Sequence, residues 1–289
     1  MAVSSEPVAI VLGTTYSGSG AVFDYLAQRP DAHNPLAGQE YLLPHIPYGL
    51  MALRSALGQS FHLAVADHAF EKFLEVAEKL ARNPGQFSLG MDYSRLLPQF
   101  REEIRQLVKH STAAELSMRL AWQELQLGRA EYARSRMLKK IFRRRANPPR
   151  TRLPVTEEEF LQLVRSVHKR LFRVPDGSSK SFTVLNQAGS GWNPVASTDF
   201  FANRKVLLVT RDPRDQFAEL KSFKGVTGVD DFVRWFMAMQ ERIELDHPDL
   251  LSLNFEDFVL NHQEQLLKIS GFLGVDASVP SGYSVEASI

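Results

Sequence analysis

Residues 13–21, Gly-Thr-Thr-Tyr-Ser-Gly-Ser-Gly-Ala, follow a short apolar run at 8–12 and lead into Ala21, Val22, Tyr25 and Leu26 at helical spacing. Small residues between a buried strand and a helix suit phosphate binding, because N–H groups at a helix start have no intrahelical partner. Gly13 and Gly18 have the spacing that opens a nucleotide-binding phosphate loop, yet Ser19-Gly20 stand where such a loop carries its lysine and hydroxyl. Magnesium–ATP chemistry would lose both its phosphate cation and its metal hydroxyl there. Ser17, Gly18, Ser19 and Gly20 still offer consecutive N–H groups and hydroxyls to an anion, and glycine permits the left-handed backbone such a nest needs. The plainer alternative is a glycine-rich turn with an ordinary serine cap.

A second candidate is Arg211-Asp212-Pro213-Arg214-Asp215, directly after the strand-like KVLLVT at 205–210. A guanidinium at a strand end matches phosphate geometry. Ion pairing of Arg211 and Arg214 with Asp212 or Asp215 is the alternative. For proton transfer, Glu40 and His45 stand in an irregular Pro-, Gly- and His-rich stretch at 33–50. Asn186, Gln187 and Trp192, in VLNQAGSGWNP, are hydrogen-bonding or stacking candidates just before the 205–210 strand. Trp192 reads equally as a loop anchor.

These groups need a scaffold. Apolar runs predict strands at 8–12, 182–185, 205–210 and 251–255. Helical spacing predicts helices over 64–80, 156–173, 214–223, 229–245 and 264–273, and residues 98–140 are expected to be helical. Strands interleaved with helices indicate an α/β domain with a central parallel sheet. Residues 55–175 read as a helical insertion or cap in a single domain spanning 1–289.

The 289 residues are 44% hydrophobic, enough for a substantial core. Lys plus Arg (34) balances Asp plus Glu (33), so net charge points to no partner. Residues 135–151 are densely basic, and Lys139, Arg143, Arg144 and Arg145 form either a solvated face or a surface for an anionic glycan or membrane. No nucleic-acid-binding module is evident, so no nucleic-acid partner is expected. The absence of cysteine excludes disulfides, thiolate metal sites and cysteine nucleophiles. No 18-residue apolar stretch or signal-like leader stands out, so a cytoplasmic protein without an integral membrane segment is expected.

Taken in order, Ser17-Gly18-Ser19, LLVTRDPRD at 207–215, LNFEDF at 253–258 and LLKISGFLGV at 266–275 resemble the sulfotransferases that use 3′-phosphoadenosine 5′-phosphosulfate (PAPS). The resemblance implies a P-loop-like three-layer α/β fold, release of adenosine 3′,5′-bisphosphate, and no metal. It assigns Thr15, Tyr16, Ser17, Gly18, Ser19, Gly20 and Ala21 to the 5′ side of the donor, and Arg211 to its 3′-phosphate. RPDAHNPLAGQEYLLP is similar to the segment that carries the base in protein-tyrosine and related sulfotransferases, which makes Glu40 the general base, His45 its competitor and Tyr41 an acceptor contact.

Two positions depart from the family. Tyr16 stands where the family commonly carries Lys or Arg, removing a cation that would stabilise developing charge. Glu219 stands where the family has a serine, eight residues after the motif arginine, with Ser222 and Lys221 as substitutes nearby. Gly282-Tyr283-Ser284 is a faint echo of a cofactor-closing loop without its basic residues. The expected activity is sulfuryl transfer to a hydroxyl or amine on a small-molecule, carbohydrate, lipid or peptide acceptor. The alternatives are a catalytically weak or inactive nucleotide- or polyanion-binding protein and, less favoured, a small-molecule kinase.

Overall fold

The computed structural model describes residues 6–82, 91–118, 128–130, 132–134, 137, 150–223, 225 and 228–276. Lys139, Arg143, Arg144, Arg145 and Gly282-Tyr283-Ser284 lie outside the described residues.

The chain opens with β1 (Val8–Gly13), α1 (Ser19–Ala27) and β2 (Ala32–His33). A helical stretch follows: α2 (Leu50–Leu57), α3 (Leu63–Ala81), α4 (Tyr93–Leu96) and α5 (Phe100–His110). Next come β3 (Thr112–Ser117), β4 (Arg150–Pro154), α6 (Glu157–Leu171) and β5 (Phe182–Asn186). The chain then continues through α7 (Pro194–Thr198), β6 (Arg204–Thr210), α8 (Pro213–Ser222), α9 (Val229–Gln240), β7 (Leu250–Asn254), α10 (Phe255–Leu260) and α11 (His262–Leu273).

The main sheet runs β2-β5-β1-β6-β7, and every pairing in it is parallel. Helices cover both faces, which is why β1 and β6 are apolar at successive positions instead of alternating. Ala9 and Val11 point to one side, packing in a core with Val22, Tyr25 and Leu26 of α1 and with Ile269 and Leu273 of α11. Ile10 and Leu12 point to the other, into a larger core with Phe70, Phe73, Phe100 and Phe160 from the helical stretch. The α/β class with a central parallel sheet is therefore as the sequence predicts.

Three local expectations change. Residues 112–117 are not helical; they pair antiparallel with 150–154 in a separate two-stranded sheet. Asp67 of α3 anchors that sheet by accepting from the Arg152 main-chain N–H at 3.0 Å and from its guanidinium at 3.2 Å. Ala32 and His33 form a short edge strand that no apolar run announced. Phe255 does not end a strand but begins α10, whose first turn is capped by the Asn254 side chain accepting from the Asp257 N–H at 3.1 Å.

His168 of α6 is a structural histidine. Its ring is 3% exposed, with Nδ1 3.0 Å from the Phe200 carbonyl oxygen and Nε2 3.0 Å from the Tyr41 hydroxyl. Nδ1–H donates to Phe200 and Nε2 accepts from Tyr41, so the ring is neutral. Burial lowers its pKa to about 4. An unfolded histidine titrates near ~6.5, so below that pH the unfolded state takes up the proton first. Stability from this site is complete above about pH 6.5 and is lost as pH falls toward about 4, by roughly 3 kcal/mol in all. Urea titrations from pH 7.5 to 4.5 should show this loss, with a shallower pH slope in H168N. An unchanged slope would exclude His168 as its source.

Candidate active site

From β1 the chain passes to one side of the sheet, and between β5 and β6 it crosses over β1 to the other. In open parallel sheets such a reversal leaves a crevice at the carboxyl ends of the strands, where ligands bind. The loops after β1, β5 and β6 all emerge there.

The loop after β1 winds through three left-handed residues, Thr15 (φ 66°), Tyr16 (φ 50°) and Gly18 (φ 78°). Two of them carry side chains, a conformation that costs about 1–2 kcal/mol per residue and persists only where surroundings enforce it. The loop is braced from within and from without. Ser17 Oγ accepts from the Thr14 N–H at 3.2 Å. Gln187, after β5, accepts from the Gly13 N–H at 3.3 Å and donates to Ser19 Oγ at 3.0 Å. Gly191 lies so close to the end of β1 that a Cβ there would be 2.2 Å from the Gly13 carbonyl oxygen. The N–H groups of residues 15–20 have no partner among the described residues and stand at the start of the nine-residue α1.

Ser17 and Ser19 are 2% and 8% exposed, so their hydroxyls shape the loop from inside. Gln187, a hydrogen-bonding candidate from the sequence, holds both ends of the loop, itself at φ 48°. Tyr16 turns its ring outward to stack on Phe223, centroids 5.3 Å apart and planes 11° from parallel.

Arg211 faces this loop from the end of β6. Its Nη1 donates to the Tyr16 carbonyl oxygen at 3.4 Å and to Glu219 Oε2 at 2.7 Å. Its guanidinium carbon lies 5.0 Å from the centre of the Phe255 ring, and Nε is buried without a partner. Phe255 also packs beneath the loop, since a Cβ on Gly18 would fall 2.2 Å from its ring. Arg214 is a different case: it turns back on Asp212, whose carboxyl it holds down at about 2. Ser222 donates to the Glu219 main-chain oxygen at 2.7 Å, and Lys221 extends over Phe217, 5.8 Å from the ring centre.

Glu40 extends the same carboxyl edge. It bridges to Asn186, which is in register with Val11, putting Glu40 two strand spacings, about 10 Å, from β1. The Tyr93 hydroxyl fixes it, donating to the Glu40 main-chain oxygen at 2.6 Å and accepting from the Leu42 N–H at 2.9 Å. Asn186 fixes the preceding turn by donating to the Gly38 oxygen at 3.3 Å. The Glu40 side chain reaches solvent, yet flanking protein strips part of its hydration and raises its pKa. His45 is more enclosed: burial lowers its pKa to about 4, and Nδ1 has no hydrogen-bond partner. Tyr41, expected as an acceptor contact, is fully buried and bonded to His168, so it belongs to the core. Trp192 packs edge-to-face on Trp235 of α9, centroids 5.0 Å apart, tying the 187–193 loop to that helix.

No family model and no curated protein matches the sequence. Among solved structures, the chain is similar to the sulfotransferase domain of the Synechococcus PCC 7002 olefin synthase, with 16% identity and a TM-score of 0.40 over 98% of this chain and 80% of that one. It is also similar to sulfotransferase STF9 from Mycobacterium avium, with 12% identity and a TM-score of 0.36 over 99% of this chain and 67% of that one. At these values the likeness assigns no activity to this chain.

Three residues that sequence reasoning left without roles complete the site. Phe255 supports both Gly18 and Arg211. Glu256 accepts from the Asp212 N–H at 2.9 Å, fixing the turn that carries Arg211. Gln216, fully buried, donates to Thr14 Oγ1 at 3.3 Å and to the Arg211 carbonyl oxygen at 3.4 Å. The FED motif signalled the first two; nothing local signalled Gln216. Partnerless N–H groups beside a guanidinium are groups that could hold an anion such as a phosphate. Among the described residues no cluster of His, Asp and Glu could hold a metal ion, and no helix is long and apolar enough to cross a membrane.

Proposed function

We propose that this protein transfers a sulfuryl group from PAPS to a hydroxyl or amine acceptor, with Glu40 as general base. The observation that carries the proposal is the meeting of two anion-binding features. The N–H row of residues 15–20 and the Arg211 guanidinium touch through the Tyr16 carbonyl. The donor, when bound, supplies an electrophilic sulfur on a phosphate leaving group. The loop N–H groups hold the 5′ side and meet the charge that develops there, a task left to them because Tyr16 brings no cation. Arg211 faces the ribose side. Glu40 takes the acceptor's proton, and partial desolvation makes its carboxylate a better proton acceptor than an ordinary surface glutamate. Asn186 and Trp192 border the acceptor side, which residues 55–175 shape, and the acceptor is a small molecule, carbohydrate, lipid or peptide.

A second reading is favoured by Tyr16, a neutral residue at the expected cation position whose ring turns outward to stack on Phe223. In that reading the protein binds nucleotide without turning it over. Calorimetry with adenosine 3′,5′-bisphosphate and transfer of labelled sulfate from PAPS to an acceptor panel separate the two. Binding with transfer is expected. Binding without transfer to any acceptor would favour the second reading, and magnesium-dependent ATP binding in preference to the bisphosphate would overturn both.

A further inference from the structure

Arg211 does not stand open to an incoming anion. Its guanidinium is held between the loop backbone at Tyr16 and the Phe255 ring, and Glu219 Oε2 accepts from Nη1 at 2.7 Å. Both side chains are partly exposed, 23% and 38%, so a ligand can reach them. The other arginine of the same turn is committed to Asp212. The arginine that faces the loop therefore carries its own counter-charge, supplied by the next helix.

We infer that Glu219 takes on Arg211 the place of a donor's ribose phosphate and so sets nucleotide selectivity, cancelling the advantage of a 3′-phosphate over a free ribose hydroxyl. The inference rests on the nucleotide-donor reading above. A phosphate brought to Arg211 is attracted by the guanidinium and repelled by a carboxylate a few ångströms away; to first order the two offset each other. A ribose hydroxyl meets no such opposition, because a carboxylate can accept its hydrogen bond, as acidic residues do for ribose in dinucleotide folds. The donor is then gripped mainly through its 5′ side, where residues 15–20 present their N–H groups.

The test is calorimetric, with adenosine 3′,5′-bisphosphate and adenosine 5′-monophosphate, which differ only in the 3′-phosphate, titrated into wild type, E219Q and E219S. Wild type should bind the two within about threefold of each other. Either substitution should tighten the bisphosphate by about tenfold, a change of ~1.4 kcal/mol, and should not tighten the monophosphate. The gain should vanish in the double variant E219Q/R211A, which ties it to Arg211. Thermal midpoints of all variants establish that they fold; Glu219 is half-buried on α8 and belongs to neither hydrophobic core, so no core contact is lost. A wild-type preference of about a hundredfold for the bisphosphate, or variants that leave the ratio unchanged, would overturn the role of Glu219 while the nucleotide reading stands. Failure of wild type and every variant to bind either nucleotide would overturn both.

Discussion

E40Q should lower sulfuryl-transfer turnover by about 10²–10⁴-fold, the usual contribution of a positioned general base, and leave affinity for adenosine 3′,5′-bisphosphate within about twofold. Glutamine keeps the size and the Tyr93-anchored backbone of Glu40 but cannot accept the proton. Because desolvation raises the Glu40 pKa, the acid limb of the wild-type rate profile should lie above the ordinary glutamate value of about 4.3, with the rate rising as the carboxyl ionises. That limb should be absent in E40Q. His45 is the other base within the segment, but with a pKa of about 4 its imidazole is a weak proton acceptor. H45Q should therefore retain more turnover than E40Q. The reverse order would move the base to His45.

The second large effect is expected from Gly191→Ala, at a residue to which no catalytic role is assigned. Its new Cβ would lie 2.2 Å from the Gly13 carbonyl oxygen, 2.6 Å from that carbonyl's carbon and 3.1 Å from the Thr14 nitrogen. All three atoms are backbone at the end of a central strand and cannot rotate aside. The two loops must separate, which carries Gln187 away from Gly13 and Ser19 and releases the left-handed turn at 15–18. Overpacking of this kind costs about 1–3 kcal/mol in stability. Affinity for adenosine 3′,5′-bisphosphate should fall by at least about tenfold, or ~1.4 kcal/mol. Gly271→Ala is the control: a Cβ there meets nothing within 4 Å, in the interior of α11, so binding should hold. Wild-type affinity in G191A would show that the loop keeps its shape without the brace after β5.

Much of this site is legible from sequence because its conformations are local. An apolar run at 8–12, glycines at 13 and 18 and helical spacing from 19 together give a strand, a turn and a helix start. The RDPRD turn follows its strand for the same reason, with Asp212 accepting from the Arg214 N–H at 2.8 Å and Pro213 opening α8. The spacing of Arg211 and Glu219 could be read too, but not that the two side chains meet.

Elsewhere tertiary structure decided. Tyr41, one residue beyond Glu40, has the type and position of a substrate contact; only the packing of α6 shows it turned into the core toward His168. Residues 112–117 have a composition suited to a helix, and their pairing with 150–154 depends on a partner more than 30 residues away and on Asp67. Gln187 reads as a polar loop residue until the sheet order puts β5 beside β1 and brings its amide to Gly13 and Ser19. Sequence by itself determined where the backbone can turn and present its N–H groups, since that depends on neighbouring residues. The sheet order decided which side chains brace the turn, because those contacts join segments far apart in the chain that meet only when both faces of the sheet are buried.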